Sequence, residues 1–82
     1  MEKVAVIGAG MVGRAWAIVF ARAGRAVALY DTDAGALENA LVLIAGAAND
    51  LHREGLVDED AQAILGRITA TTDLAAALKD AV

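Results

Sequence analysis

One hexapeptide constrains this chain more than any other feature. Residues 8–13 read Gly-Ala-Gly-Met-Val-Gly, a G-x-G-x-x-G pattern of three glycines. The pattern follows a short apolar run, Lys3 to Ile7, and precedes a helical pattern from Met11 to Ala23. Alone it is a weak signal, because glycines after a strand often form a simple turn. Between a strand and a helix it is typical of a β-α-β unit that binds a dinucleotide.

Each residue of this pattern has its own expected role. Gly8 permits the tight turn after the strand, Gly10 lets a pyrophosphate approach the backbone, and Gly13 lets the helix pack close to the strands. The N-terminus of a helix carries unpaired N–H groups and a partial positive charge. We therefore expect a diphosphate to bind at the backbone N–H groups of Met11 and Val12.

An acidic residue ends the second apolar run, Ala26 to Tyr30. Asp31 follows Gly13 by 18 positions, close to the spacing of about 20 that the motif predicts. A carboxylate there would accept hydrogen bonds from the adenosine ribose and would repel the additional phosphate of NADP. The next residues are Thr32 and Asp33, not Arg or Lys, which favours NAD. An aspartate after a strand is often only a helix cap, but Asp33 is better placed for that, which leaves Asp31 for the ribose.

The predicted cofactor-binding set is therefore Gly8, Gly10, Met11, Val12, Gly13, Asp31 and Thr32.

The rest of the chain continues the alternation of strands and helices. The expected segments are a long helix capped by Asp33 and ending near Arg53 or Glu54, a short helix Glu59 to Leu65 capped by Asp58, a strand Arg67 to Thr71, and a helix from Thr72 or Asp73 to about Lys79. The order β-α-β-αα-β-α predicts an α/β fold with three parallel strands and helical crossovers, a partial Rossmann arrangement. We expect residues 1–82 to be the N-terminal part of a dinucleotide-binding domain, with no substrate domain.

Composition excludes several classes of function. The net charge is −4 without a basic block, which argues against nucleic acid and anionic membranes as partners. The chain has no cysteine, which excludes disulfides and thiolate metal sites and fits a cytoplasmic protein. We interpret His52, the single histidine, as an exposed helical residue, and the acidic run 58–60 as a helix start. No catalytic residue and no metal site is predicted.

These residues point to a family. The stretch Val4 to Asp31 resembles the N-terminal domain of the 3-hydroxyacyl-CoA dehydrogenases, and its part from Gly13 through Asp31 looks especially like the lambda-crystallin and L-gulonate 3-dehydrogenase branch. The helical hairpin and the stretch Ile68 to Leu74 are also similar to that family's third-strand region.

The resemblance implies contacts from Met11 and Val12 to the pyrophosphate and from Asp31 to the ribose. It also implies an NAD-dependent oxidoreductase that oxidises a 3-hydroxy acid or 3-hydroxyacyl-CoA by hydride transfer. The family's catalytic histidine and glutamate lie in later segments, which no position here matches. We therefore expect a truncated chain that holds cofactor and is inactive by itself.

Other hypotheses remain open at this stage. Another NAD(P) family, such as the 6-phosphogluconate-like dehydrogenases, or an FAD enzyme would share the glycine pattern, and a degenerate fold would keep only the shape. A different class is a non-catalytic truncated module. In the doubly wound order a missing fourth strand leaves the first strand, Val4 to Ile7, as an open apolar edge. Such edges recruit other chains, which predicts a homodimer or higher assembly.

Overall fold

A parallel sheet with helical crossovers organises the structure, a computed structural model that describes residues 3–57 and 59–81. Its elements are β1 (Val4–Ile7), α1 (Met11–Arg22), β2 (Val27–Tyr30), α2 (Ala34–Arg53), α3 (Ala61–Leu65), β3 (Ile68–Thr71) and α4 (Leu74–Leu78). The α/β prediction is confirmed, including the order β-α-β-αα-β-α. Strands β1, β2 and β3 each begin one residue later than their apolar runs.

The strand order β1-β2-β3 places β2 in the centre of the three-stranded sheet. Val27 pairs with Val4 of β1 on one side and with Ile68 of β3 on the other. Val27, Ala28 and Leu29 are all buried, as expected for a central parallel strand. Within the described residues, β1 has a strand partner on one side only. Its other edge carries a single parallel bridge between Lys3 and Ala81.

Small side chains let the helices lie close to the sheet. The largest fully buried side chains are those of Leu29, Ile44, Ile64 and Val27. Buried alanines lie on all four described helices, among them Ala17, Ala61 and Ala77. Because alanine contributes little apolar area, this core depends on close backbone approach more than on large side chains. None of the helices in the described part of the chain is long and apolar enough to cross a membrane.

The start of α3 corrects one prediction. The helix begins at Ala61, not at Glu59, and Asp60 is its N-cap, accepting the N–H of Ala63 at 2.9 Å. The predicted cap, Asp58, lies outside the described residues. Glu59 is instead engaged by Arg67, whose Nη1 lies 2.8 Å from Glu59 Oε1. A partner eight positions away thus sets the conformation of Glu59 just before the helix.

The same arginine ties three elements together. Arg67 immediately precedes β3, and its Nη1 also donates to the carbonyl oxygen of Ala21 at 2.9 Å. That carbonyl belongs to the last turn of α1 and also accepts the N–H of Gly24 at 3.0 Å. Arg67 therefore joins the end of α1, the segment before α3 and the start of β3.

Candidate functional site

The turn between β1 and α1 begins at a glycine in a left-handed conformation. Gly8 has φ +99°, which side-chain-bearing residues rarely adopt. Its N–H donates to the carbonyl oxygen of Tyr30 at 2.7 Å, so the turn starts while the chain is still paired with β2. The tight turn expected at Gly8 is present.

Gly13 has a steric role. A Cβ built on Gly13 would lie 1.8 Å from the carbonyl oxygen of Gly8 and 2.9 Å from its carbonyl carbon. Any side chain would force the first turn of α1 away from the loop. The sequence predicted that Gly13 lets the helix pack close to the strands, and in the structure its closest approach is to the glycine turn, at Gly8.

Gly10 differs from both. It is the N-cap of α1, with φ −74°, and no atom lies within 4 Å of a Cβ built on it. The space above Gly10 is open to a ligand. No side chain caps α1, and the side chains of Met11 and Val12 are exposed. The first N–H groups of α1 have no intrahelical acceptor and are available at this opening.

Asp31 follows the end of β2 and reaches back to the glycine turn. Its Oδ2 accepts the N–H of Ala9 at 2.9 Å, and its Oδ1 accepts the N–H of Asp33 at 3.0 Å. The N–H of Ala9, followed by that of Asp33, holds the pKa of the Asp31 carboxyl below its usual value. These two N–H groups therefore favour the ionised form of the carboxylate.

Asp31 and Asp33 have different partners, and these are only partly as expected. Asp33 caps α2 by accepting the N–H groups of Gly35 at 2.9 Å and Ala36 at 3.4 Å. Asp31 does not cap a helix, but it is not free either, since both of its oxygens accept main-chain N–H groups. Each carboxylate oxygen has a second acceptor position, so ribose hydroxyls could still be accommodated. Thr32, between them, is exposed.

Two residues at this turn were missed by the sequence analysis. Ala9 is buried and supplies the N–H that Asp31 holds. Arg14 donates a long hydrogen bond, 3.5 Å, to the carbonyl oxygen of Ala9 and brings a positive charge to the turn. Position 9 carried a signal, because it lies between the two glycines of the turn. Nothing in the sequence pattern distinguished Arg14 from other helical arginines.

An apolar groove of about 720 Å³ continues from the turn along the outer edge of β1. It is lined by β1, by the glycine turn and by the face of α1 that carries Trp16 and Phe20. These two rings lie four residues apart on α1 and stack with their centroids 5.6 Å apart. Ile7 and Trp16 are each more than half exposed in this groove. One wall of the candidate site is therefore continuous with an unpaired strand edge.

The other described residues considered in the sequence analysis do not form a second site near the glycine turn. His52 lies exposed near the end of α2, away from the glycine turn in sequence. Among residues 3–57 and 59–81 no group of three acidic, histidine or cysteine side chains could hold a metal ion.

Comparison with known proteins gives a consistent picture. The sequence pattern of the 3-hydroxyacyl-CoA dehydrogenase NAD-binding domain matches residues 3–82. A lambda-crystallin homolog from Bos taurus is 35% identical over 81 residues, which is 96% of this chain and 25% of that protein. This chain thus spans about a quarter of the length of the curated relatives it matches.

Solved structures agree. The crystal structure of 3-hydroxybutyryl-CoA dehydrogenase from Escherichia coli K12 superposes with a TM-score of 0.84 at 37% identity, covering 92% of this chain and 16% of that one. A diketoreductase superposes with a TM-score of 0.86 at 38% identity, covering 99% and 29% of the two chains.

Proposed function

This chain belongs to the family of the 3-hydroxyacyl-CoA dehydrogenase NAD-binding domain, and from that premise we propose how its own residues hold NAD. The adenosine and diphosphate half of the cofactor would lie over the glycine turn. The observation that carries the proposal is the space above Gly10, which would be filled by any side chain and is empty of protein atoms within 4 Å. A diphosphate in that space would meet the N–H groups of Met11 and Val12, where the helix dipole favours negative charge.

Asp31 would fix the adenosine ribose. Its carboxylate lies at the carboxyl end of β2, and its lowered pKa keeps it ionised. An anion there accepts the hydrogen bonds of two hydroxyls and repels a phosphate on the same ribose. Thr32 and Asp33 supply no compensating cation. We therefore propose that the site selects NAD over NADP, and Thr32 would border the ribose from the exposed side.

The parent reaction is a further proposal. NAD supplies a hydride acceptor when bound, and relatives of this chain are named as 3-hydroxybutyryl-CoA dehydrogenases. We propose that a longer protein containing this domain oxidises a 3-hydroxy acid or 3-hydroxyacyl-CoA, with residues 1–82 forming the N-terminal part of its dinucleotide-binding domain. The carboxylate beside the glycine turn, Asp31, accepts the N–H groups of Ala9 and Asp33 and is proposed to bind the ribose, not to take the hydroxyl proton of a substrate. The 82-residue chain alone should therefore show no turnover of any 3-hydroxyacyl substrate.

Calorimetric titration of Gly10→Ala with NAD, ADP and NADP tests the binding proposal. The backbone of Gly10 is compatible with alanine and no atom is contacted, so the variant should fold. Its methyl group would occupy the diphosphate space, and NAD and ADP binding should fall by about tenfold or more. Gly46→Ala, also without a contact within 4 Å but on α2, is the matched control. Equal NAD affinity in Gly10→Ala and the control would contradict the proposal.

Self-association is our proposal for the partner of this chain. It is supported by the unpaired edge of β1, where Ile7 is 57% exposed, because an apolar edge is a template for another strand. We propose that two copies pair there when the 82-residue chain is studied alone. Light scattering at high micromolar concentration should then give at least a dimer, and Ile7→Lys should shift it toward monomer. A monomeric wild-type chain would contradict this.

The cytoplasmic location of the protein also stays a prediction.

A further inference from the structure

We propose that Asp31 is also a positioning residue, which holds the glycine turn in its binding shape before any nucleotide arrives. This rests on the proposed function, since it concerns the same site. It assigns to Asp31 a role toward the diphosphate, which the carboxylate would not contact, in addition to the role toward the ribose.

The first argument is the burial of Ala9. This residue is 3% exposed, so its N–H is removed from solvent and needs an acceptor in the protein. The acceptor is Asp31 Oδ2, 2.9 Å away and 22 residues later in the chain. Without that oxygen the turn would retain a buried, unsatisfied donor, and the cheapest relief is for the turn to open toward water.

The second argument is how the N–H groups of the turn are divided. The N–H of Gly8 is bound by the carbonyl of Tyr30, and the N–H of Ala9 is bound by Asp31. The N–H groups of the following first helical turn have no intrahelical acceptor. Asp31 thus anchors an N–H two positions before the first group proposed to bind diphosphate, and so fixes the direction in which these groups point.

The third argument is that the carboxylate of Asp31 is itself fixed by a second hydrogen bond. Asp31 Oδ1 accepts the N–H of Asp33, and Asp33 Oδ1 accepts the N–H groups that begin α2. The glycine turn is therefore joined through two carboxylates to the N-terminus of a 20-residue helix. A carboxylate fixed at both oxygens can position a loop, whereas a freely rotating one could not.

The test uses inorganic pyrophosphate, a probe without ribose. If Asp31 acted through the ribose alone, removing its negative charge would leave pyrophosphate affinity unchanged or raise it. If it positions the turn, Asp31→Ala should weaken pyrophosphate binding by about threefold or more, despite the loss of a repelling charge. Asp31→Asn keeps one carbonyl acceptor for Ala9 and should restore affinity to at least the wild-type value. Unchanged or tighter binding in Asp31→Ala would overturn the proposal.

Amide hydrogen exchange without any ligand provides the second readout. In the wild-type chain the Ala9 amide should be protected by at least about tenfold, and this protection should be lost in Asp31→Ala. Asp73→Ala, which removes the cap of α4, is the control for a general loss of stability. An unprotected Ala9 amide in the wild-type chain would overturn the proposal even if Asp31→Ala failed to fold. Protection of Ala9 with no binding of pyrophosphate or NAD would instead refute the proposed function and leave the anchor intact.

Discussion

At the scale of single residues, three glycines of one motif do three different things. Gly8 is required for its backbone angle, Gly13 for the 1.8 Å approach that a Cβ would make to a carbonyl oxygen, and Gly10 for the space it leaves. Only the first two roles concern folding. The third is proposed to concern a ligand, so stability and binding measurements can separate the three positions.

Gly13→Ala should strongly destabilise the fold. Its methyl group would clash with the backbone of Gly8, which cannot rotate away as a side chain could. We expect a loss of about 3 kcal/mol or more in the free energy of unfolding, at the upper end for overpacking. The control Gly46→Ala lies in the interior of α2 with open space around it and should gain about 1 kcal/mol. Urea unfolding measures both, and similar values for the two variants would contradict the steric role of Gly13.

Acid should weaken the fold through the ion pair of Glu59 and Arg67. The hydrogen bond from Arg67 lowers the pKa of Glu59 from its ordinary value of 4.5. A carboxylate with a lowered folded-state pKa contributes stability above its unfolded-state pKa and loses it as pH falls through the folded-state pKa. Stability should therefore begin to fall below about pH 5 and continue to fall at lower pH.

Thermal unfolding at pH 7 and at pH 3 checks this, with Glu59→Gln as the comparison. That variant should be less stable than the wild-type chain at pH 7, and the difference should shrink at pH 3. Because Glu59 is partly exposed, the difference at pH 7 should be small and reduced by salt. A constant difference at both pH values would contradict an ionic contribution.

At the scale of elements, aspartates mark where the helices begin. Asp33, Asp60 and Asp73 are the N-caps of α2, α3 and α4, and each accepts a backbone N–H of its own helix. Helix α1 differs, because its N-cap is Gly10 and no side chain serves it. A cap side chain would occupy the N–H groups proposed to bind diphosphate. Its absence fits a helix start that is completed by a ligand.

Asp33→Ala should shorten or weaken α2. The aspartate satisfies the N–H groups of Gly35 and Ala36, and its loss should cost about 1 kcal/mol. Asp33→Asn keeps the acceptor oxygen and should stay close to the wild-type stability. Chemical denaturation followed by helical circular dichroism compares the three proteins. If the asparagine variant lost as much as the alanine variant, charge and not capping would be the cause.

At the scale of the whole molecule, the proposed cofactor site lies beside β1, a strand that is paired with another strand on one side only in the described residues. The chain spans about a quarter of its curated relatives, and its sheet has three strands in the described residues. In the proposed site the glycine turn and Asp31 would bind the diphosphate and the adenosine, while the outer side of β1 lines an open groove. We therefore expect the described residues to make few contacts with the nicotinamide half of the cofactor.

NAD should bind the 82-residue chain weakly. We expect a dissociation constant of about 1 mM rather than 1 μM, a deficit of about 4 kcal/mol. ADP should bind nearly as well as NAD, because it contains the adenosine and the diphosphate that the proposed site would contact. Calorimetry or NMR titration measures both constants. An NAD constant near 1 μM, or NAD much tighter than ADP, would contradict this view of the site.

The sequence alone determined the features that depend on local pattern. The order of strands and helices, the glycine turn and the cap at Asp33 follow from apolar runs and turn or cap residues over short stretches of chain. For the last helix the sequence left Thr72 and Asp73 as alternative caps, and the structure shows Asp73. The predicted start of α3 at Glu59 was wrong, because Glu59 is bound by Arg67 and Asp60 serves as the N-cap.

Only the tertiary structure decided what depends on residues far apart in sequence. Ala9 meets Asp31 across 22 positions, and Arg67 meets Ala21 across 46. The first contact lies where parallel strands bring their carboxyl ends together, and the second lies at the opposite ends of the strands, where α1 ends and β3 begins. Because both depend on the folded sheet, no local pattern encodes them. The same pairing order left β1 at the edge of the sheet, directly beside the glycine turn that the sequence had revealed first.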